Sequence, residues 1–309
     1  KKEFLEVRRE ISNSEKAQAY ITGGFFKQFI TKYPDSNFLY SKMVYTNILV
    51  NQIRGDKSRK KSAREELWKG QAHNAYWHGK HGGIYHNRLR KETYRALIES
   101  EKITREKGIF IPSVITTDFD LDGIKEFLYQ GHEINAYIHL RGGMLFELDY
   151  LPVSWNYLDS LTRREENYHD GVARREGYDD YPRKSFIDHF LNETVDSEAL
   201  QKAQLHEIVP AAESLYEIEN FKREHKEINL KYELNESVGN ETSVHLTLYK
   251  TYIFNRSSVH VYYRLTNEGA EHGRIVFAPE INLSAASAAP ESNRIFEMVK
   301  KKKRELGND

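Results

Sequence analysis

The sequence predicts an α+β chain: an N-terminal antiparallel helical bundle over residues 1–108, then an all-β sandwich over residues 109–309. Three observations predict it. Apolar residues recur at spacings of three and four between Phe25 and Ile53, which is the helical period. Beyond residue 109 the period becomes two, in many short runs with few helical ones between them, the pattern of an antiparallel sandwich. The length, 309 residues, exceeds one ordinary core, so two units are expected.

The first helical face carries Phe25, Phe26, Phe29 and Ile30, and the next carries Phe38, Leu39, Met43, Val44, Ile48, Leu49 and Ile53. Tyr33-Pro34-Asp35-Ser36 separates them, because Pro34 lacks an amide proton and Asp35 or Ser36 suits a helix cap. Residues 55–61 read as a charged loop. A third helix is expected from about Ser62 through Leu67 and Trp68 to Gln71, and a fourth from Asn87 through Tyr94, Leu97 and Ile98. Short connections make these an antiparallel bundle. The boundary falls near residues 107–111. Residues 133–140 and 144–150 read as two strands joined by Arg141-Gly142-Gly143, a hairpin. Further strands are expected at 211–219, 228–234, 244–254, 258–266 and 273–283. Residues 297–305 read as a charged helix or tail, and the run Lys300 to Arg304 as a solvated face. No repeat of solenoid period is present.

Composition excludes several classes. Forty-six basic residues balance forty-six acidic ones, so no basic footprint favours nucleic acid. No cysteine is present, which removes disulfides, thiolate metal sites and a cysteine nucleophile and fits a reducing, cytoplasmic setting. No apolar run approaches the length of a membrane span, and no membrane partner is expected. The opening Lys1-Lys2-Glu3 looks like the interior of a longer protein. Aromatics are frequent, with 20 Tyr, 15 Phe and 3 Trp. Exposed rings suit sugar faces, but Tyr is also an ordinary strand residue.

Two constellations bear on chemistry. Residues 71–85 place Tyr76, Trp77 and His78 before a Gly-rich turn, His78-Gly79-Lys80-His81-Gly82-Gly83. A Trp at a helix end can stack on a pyranose while the His bonds its hydroxyls, and the glycines permit close approach. The same rings can equally be core residues, and the spacing alone favours that plainer reading. His73, His78, His81 and His86 lie close in sequence but lack the HExxH arrangement and any nearby carboxylate, so a zinc site is not expected. The second constellation is Asp118-Phe119-Asp120-Leu121-Asp122-Gly123-Ile124-Lys125-Glu126. Alternate carboxylates in a tight loop repel unless a cation neutralises them. Asp118, Asp120, Asp122 and Glu126, with the Ile124 carbonyl, suit calcium, which takes six to eight oxygens. An acidic β-turn without a metal is the plainer alternative. The loop departs from an EF-hand, since no Glu stands at the twelfth position. No nucleophile elbow, phosphate loop or dinucleotide fingerprint appears. Asp179, Asp180, Asp188 and His189 are titratable without a spacing that singles out a mechanism, and no catalytic residue is assigned.

The run Ala75-Tyr76-Trp77-His78-Gly79, then Gly82-Gly83-Ile84-Tyr85 and Leu89-Arg90, resembles the last conserved region of the family-57 glycoside hydrolases. That family includes 4-α-glucanotransferases and α-amylase-like enzymes. Residues 29–37 resemble the helical stretch preceding that region. Residues 141–150, 161–164, 185–191 and 277–283 resemble the C-terminal domain of the glucanotransferase branch. The resemblance covers nearly the whole chain, in order. It implies helices packed on a catalytic barrel, then a galactose-mutarotase-like supersandwich. It also implies retaining cleavage of an α-1,4-glucan or maltooligosaccharide, with transfer to glucan or water. The two catalytic carboxylates of such a mechanism, about 5 Å apart, sit in the family on an upstream barrel, and neither is found here. What carries over is Trp77 as a wall of the sugar site, with His78 beside it. The chain departs from the family at His73-Asn74, where Asn-Asp is usual, and at Lys80-His81, where an apolar pair is usual. Both changes alter the polarity of the site.

The resemblance therefore implies a C-terminal part of a glucan enzyme that completes the sugar cleft and is inactive alone. A non-catalytic α-glucan-binding module or scaffold is the alternative from another class. A mutarotase-like epimerase using His189 and Glu280 is a further one, since that chemistry needs an acid and a base flanking the anomeric centre.

Overall fold

A computed structural model describes residues 25–79, 82–106, 109–164, 178–191, 207–238, 242–269, 274–284, 295–299 and 302–306. Among the described residues four helices come first: α1 (Phe26–Lys32), α2 (Pro34–Gln52), α3 (Lys57–Gly70) and α4 (Asn87–Arg105). Between α3 and α4 lie a 3-10 turn (His73–Tyr76) and a minimal hairpin of β1 (His78–Gly79) and β2 (Gly82–Gly83). Pro34 starts α2 at its first helical position, with Tyr33 as the flanking residue. A missing N–H costs nothing there, so neither Asp35 nor Ser36 caps the helix. Both instead lie buried in its first turn. The expected loop at 55–61 is already helical from Lys57, because the Asp56 side chain accepts from Arg59 N–H at 2.9 Å and caps α3.

The β part holds an antiparallel five-stranded sheet in sequence order: β3 (Ser113–Thr117), β4 (Glu126–Gln130), β5 (Ile134–Ile138), β6 (Leu145–Tyr150) and β7 (Trp155–Asn156). A four-stranded antiparallel meander follows the same logic: β10 (Glu217–Lys222), β11 (Glu227–Val238), β12 (Thr242–Phe254) and β13 (Val259–Asn267). A three-stranded sheet is ordered β14 (Val276–Glu280), β8 (Ile187–Leu191), β9 (Glu207–Val209). Of the expected strand at 211–219, the first part is a turn that follows β9 and only the end, from Glu217, is strand, the start of β10. The turn accepts the backbone of the β5–β6 hairpin: Gly142 N–H donates to Ser214 O at 2.7 Å. Gly142 has φ +68, and a Cβ there would stand 2.5 Å from Ala212 O. The expected terminal helix is a hairpin of β15 (Ile295–Val299) and β16 (Lys302–Leu306). The apolar run Ile295, Phe296, Met298, Val299 carries strand propensity that outweighs the helix preference of the lysines beside it. Lys300 and Lys301 of that basic run lie outside the described residues.

Two cores, one on each face, explain why β4 and β5 are buried at every position. One face of the five-stranded sheet, through Phe127, Tyr129 and Ile138, packs on Ile228, Leu230, Leu248, Tyr252 and Phe254 of the meander. The opposite face, through Leu128, Tyr137 and Phe146, packs on Phe38 of α2. A third core, with Leu39, Val50, Leu67, Tyr76 and Leu97, lies among the helices. The order is thus helices, sheet, sheet, an α+β chain with extensive antiparallel sheets. No helix among the described residues is long and apolar enough to cross a membrane.

Candidate functional site

Trp77 stands where the 3-10 turn meets β1. The residue is 48% exposed, and its ring contacts the Phe29 ring of α1 at 5.6 Å between centroids. The backbone beneath it is clamped. Ile84 N–H donates to Trp77 O at 2.8 Å, and His78 pairs with Gly83 across the hairpin. Gly83 has φ +97, and a Cβ there would fall 1.9 Å from Trp77 O. Only glycine tolerates both the conformation and the approach. Tyr76 behaves differently from its neighbour. It is buried, its hydroxyl donates to Gly70 O, and burial holds its phenol far above the ordinary range. Ser36 Oγ donates to Tyr76 O at 3.2 Å. Tyr76 therefore anchors the turn to α2 and α3, and Trp77 presents a ring to the surface. His78 follows on β1, paired through its backbone. Phe29 and Gly83 are the supports that spacing does not reveal.

The acidic loop folds between β3 and β4. Asp120, Asp122 and Glu126 converge with His139, their ligand atoms all within 4.8 Å of one another. Asp118 stands outside that group: its Oδ2 accepts from Gly123 N–H at 3.2 Å and closes the turn. Asx-type bonds shape the rest, Asp122 N–H to Asp120 Oδ1 at 3.2 Å and Ile124 N–H to Asp122 Oδ1 at 2.7 Å. Glu126 Oε2 accepts from Phe119 N–H, while its Oε1 is buried with no hydrogen-bond partner. Burial pushes the Glu126 carboxyl up to about 7, against the pull of Phe119 N–H and His139 and with the help of Asp120 and Asp122. An orphaned buried carboxylate oxygen in a ring of carboxylates is the donor set of a hard cation.

His139 was not legible as part of this group, because only the pairing of β4 with β5 brings it there. Its Nε2 lies 3.7 Å from Asp120 Oδ2, 3.6 Å from Asp122 Oδ2 and 3.6 Å from Glu126 Oε1. Its Nδ1 accepts from Arg141 N–H at 2.9 Å. A nitrogen that accepts carries no proton, so the proton sits on Nε2, toward the carboxylates. The oxygens can coordinate a metal ion, with His139 as an N–H beside them.

His189 and Glu280, far apart in sequence, do meet. His189 Nε2 lies 2.9 Å from Glu280 Oε2, and its Nδ1 bonds Glu207. Tyr181 OH donates to Glu280 Oε2 at 2.7 Å, and Asn282 Nδ2 donates to Oε1 at 2.6 Å. Burial works against the charged imidazole, but the two carboxylates outweigh it and raise its pKa to about 9. Burial likewise opposes the Glu280 carboxylate, and the bonds from His189, Tyr181 and Asn282 bring it down to about 2. An epimerase needs a sugar between acid and base. Here the two side chains bond each other and every ring nitrogen is engaged, so the trio clasps β14, β8 and β9 together.

Comparison with known proteins gives a consistent result. A family model described as alpha-amylase/4-alpha-glucanotransferase, middle domain, matches residues 24–104. Its C-terminal counterpart matches residues 118–177 and 170–309. An alpha-amylase of Pyrococcus horikoshii is 29% identical over 292 residues, covering 91% of this chain and 42% of that protein. A 4-alpha-glucanotransferase of Thermococcus litoralis is 31% identical over 247 residues, covering 70% and 35%. The crystal structure of the Thermococcus litoralis 4-alpha-glucanotransferase superposes with a TM-score of 0.76 at 28% identity, over 91% of this chain and 42% of that one. The chain spans less than half the length of these relatives. With two family models covering most of its length, the chain belongs to the alpha-amylase/4-alpha-glucanotransferase family of family-57 glycoside hydrolases, of which it matches the middle and C-terminal regions.

Proposed function

We propose that this chain is the middle and C-terminal part of a retaining enzyme that acts on α-1,4-glucan, a 4-α-glucanotransferase or α-amylase. Trp77 forms a wall of its sugar cleft, with His78 beside it and Tyr76 as the anchor beneath. The observation that carries this reading is the half-exposed indole of Trp77 held on a clamped backbone. An aromatic that served only the core would be buried like Tyr76. Retaining chemistry needs two carboxylates about 5 Å apart across the scissile bond. We assign these to an N-terminal barrel that packs against the helical unit, residues 1–108, with residues 109–309 as the second unit. The cation beside Glu126 is calcium in this reading, because the donors are carboxylate oxygens and no thiolate exists in the chain. It fixes the loop that opens the sandwich.

The test is an assay of maltoheptaose cleavage and transfer, by the 309-residue chain alone and by the chain joined to a family barrel. The chain alone is expected to be inert and the joined protein active. Trp77→Ala in the joined protein should lower kcat/KM by on the order of tenfold or more. Cleavage by the isolated chain would sink the assignment of the carboxylates to the barrel.

A further inference from the structure

Helix α1 is seven residues long and buries none of them. So short a helix is not stable on its own, and neither Phe26 nor Phe29 joins the cores formed by the described residues. Ring contacts hold it instead. Phe26 meets Tyr40 of α2 edge-on at 5.4 Å between centroids, and Phe29 stacks on Tyr33 at 4.5 Å. Tyr33 is the fixed end of this chain of rings. It is buried, and its hydroxyl accepts from Lys32 Nζ at 3.0 Å. The Lys32 ammonium stands 4.8 Å and the Arg164 guanidinium 6.0 Å from its ring centre. Its carbonyl accepts from Asn37 N–H at 3.1 Å, which ties its backbone into the first turn of α2.

Trp77 is the other end of the chain of rings. Its clamped backbone fixes where the indole starts and leaves χ1 and χ2 to be set. Gly83, whose close approach clamps it, has no side chain to bear on the ring. A half-exposed residue is not turned by a surrounding core either. The Phe29 ring does bear on it, at 5.6 Å and an interplanar angle of 39°. A tilted pair at that separation attracts beyond the area it buries. A phenylalanine that served only to seal α1 would turn its ring into the bundle, as Tyr76 does. Phe29 instead places its ring against Tyr33 and Trp77.

We propose that Phe29 is a positioning residue for Trp77. Its ring, braced by Tyr33, selects the rotamer in which the indole presents its face for stacking on a pyranose. Phe29 acts through Trp77 and not on the sugar. The part in sugar binding rests on the function proposed above, whereas the bracing of the indole does not. A leucine at position 29 fills the space without a flat face, and a tyrosine keeps the face.

The experiment labels the 309-residue chain with fluorotryptophan and reads its three indoles by fluorine NMR. The Trp77 resonance is the one lost in Trp77→Phe. Phe29→Leu should shift that resonance toward free fluorotryptophan and narrow it, because an unbraced side chain hops between rotamers within nanoseconds. Phe29→Tyr should restore the parent position and width. Unmoved Trp68 and Trp155 resonances show that a variant is folded, and Phe29→Met repeats the reading where Phe29→Leu moves them. A shift without narrowing would mean that the neighbouring ring current is gone while the indole is still held, which overturns the proposal. In the barrel-joined protein Phe29→Leu should lower kcat/KM for maltoheptaose by about fivefold. Added to Trp77→Ala, it should lower kcat/KM no further. Equal losses with and without the indole would make Phe29 act on the sugar directly and overturn the proposal. Full kcat/KM in Trp77→Ala would sink the function proposed above and, with it, the part of Phe29 in sugar binding. An indole still held in Phe29→Leu, beside an impaired Trp77→Ala, would sink the positioning role alone.

Discussion

Lys42 on α2 places its ammonium 2.5 Å from Asp149 Oδ2 on β6, and both side chains are buried. This ion pair sits at the centre of the joint between helices and sheet. Glu147 lies 3.6 Å from the same ammonium and accepts from Tyr94 OH of α4 at 2.8 Å. Asn135 and Asn156 donate to Asp149 at 3.0 and 2.9 Å. Nearby, Arg90 of α4 bonds Asp159 at 2.7 Å. Burial favours loss of the lysine proton, but Asp149 and Glu147 outweigh it and hold Lys42 charged far into alkali. Removing one partner of such a pair strands a buried charge and costs about 3–5 kcal/mol. Lys42→Met should therefore lower stability by that amount in urea unfolding, and Lys42→Met with Asp149→Asn should recover part of it. A single variant as stable as the parent would show that the apolar contact of Phe38 alone holds helix to sheet.

The clasp of His189, Glu207 and Glu280 should give stability a window in pH. The His189 pKa rises from 6.5 to about 9 in the folded chain. Its contribution is therefore full below 6.5 and lost as pH rises through about 9. The Glu280 pKa falls from 4.5 to about 2, so its contribution is full above 4.5 and lost as pH falls through about 2. The clasp's own share of the urea midpoint, read as the difference between the parent and His189→Gln, should plateau between 4.5 and 6.5 and decline on both sides, and is worth on the order of 2–3 kcal/mol. His189→Gln should flatten the alkaline limb. An unchanged alkaline limb in that variant would assign it to other groups.

Glu126 titrates with the opposite sign. Its pKa rises from 4.5 to about 7 on folding. The folded chain thus holds the proton more tightly, and the stability this group allows is present below 4.5 and lost as pH rises through about 7. A cation on the orphaned Oε1 removes the penalty. Calcium at a hundredfold excess over its dissociation constant should add about 2.7 kcal/mol, more above neutrality than in acid. Thermal midpoints with calcium and with a chelator, at both pH values, check this. Glu126→Gln should abolish most of the calcium response. An equal response in that variant would place the ion elsewhere.

How much of this was legible in the sequence follows from the range of each interaction. Periodicity located α2, α4 and the β5–β6 hairpin, because a helix or hairpin is written in neighbouring residues. Asp120, Asp122 and Glu126 share one short loop and were found as a set. His139 was not, since it joins them across a strand pairing. The clasp of His189 with Glu280 spans three strands and no local pattern announces it. The boundary errors have local causes. Asp56 acts as a cap before a run of lysines and arginines that resembled a loop, and the turn at 211–214 closes on Pro210, whose carbonyl accepts from Glu213 N–H at 3.1 Å and from Ser214 Oγ at 3.0 Å, with Gly142 N–H bonding Ser214 O from across the fold. The role of Trp77 came from resemblance, because spacing alone cannot tell an exposed ring from a buried one.

The Trp77 turn offers a way to separate fold from function. The indole is half-exposed and its main partner is the Phe29 ring, so Trp77→Ala should cost no more than about 1 kcal/mol of stability. In the barrel-joined protein the same change should weaken maltoheptaose binding by on the order of tenfold. Gly83→Ala should behave otherwise. Its φ of +97 is strained for any Cβ, and the methyl would meet Trp77 O at 1.9 Å, so the Ile84 to Trp77 bond must break or the hairpin must shift. That variant should lose on the order of 2–3 kcal/mol of stability together with sugar affinity. Thermal unfolding and isothermal titration with maltoheptaose on both variants read the two effects apart. Affinity unchanged in Trp77→Ala would remove the indole from the sugar cleft, whatever Gly83→Ala does.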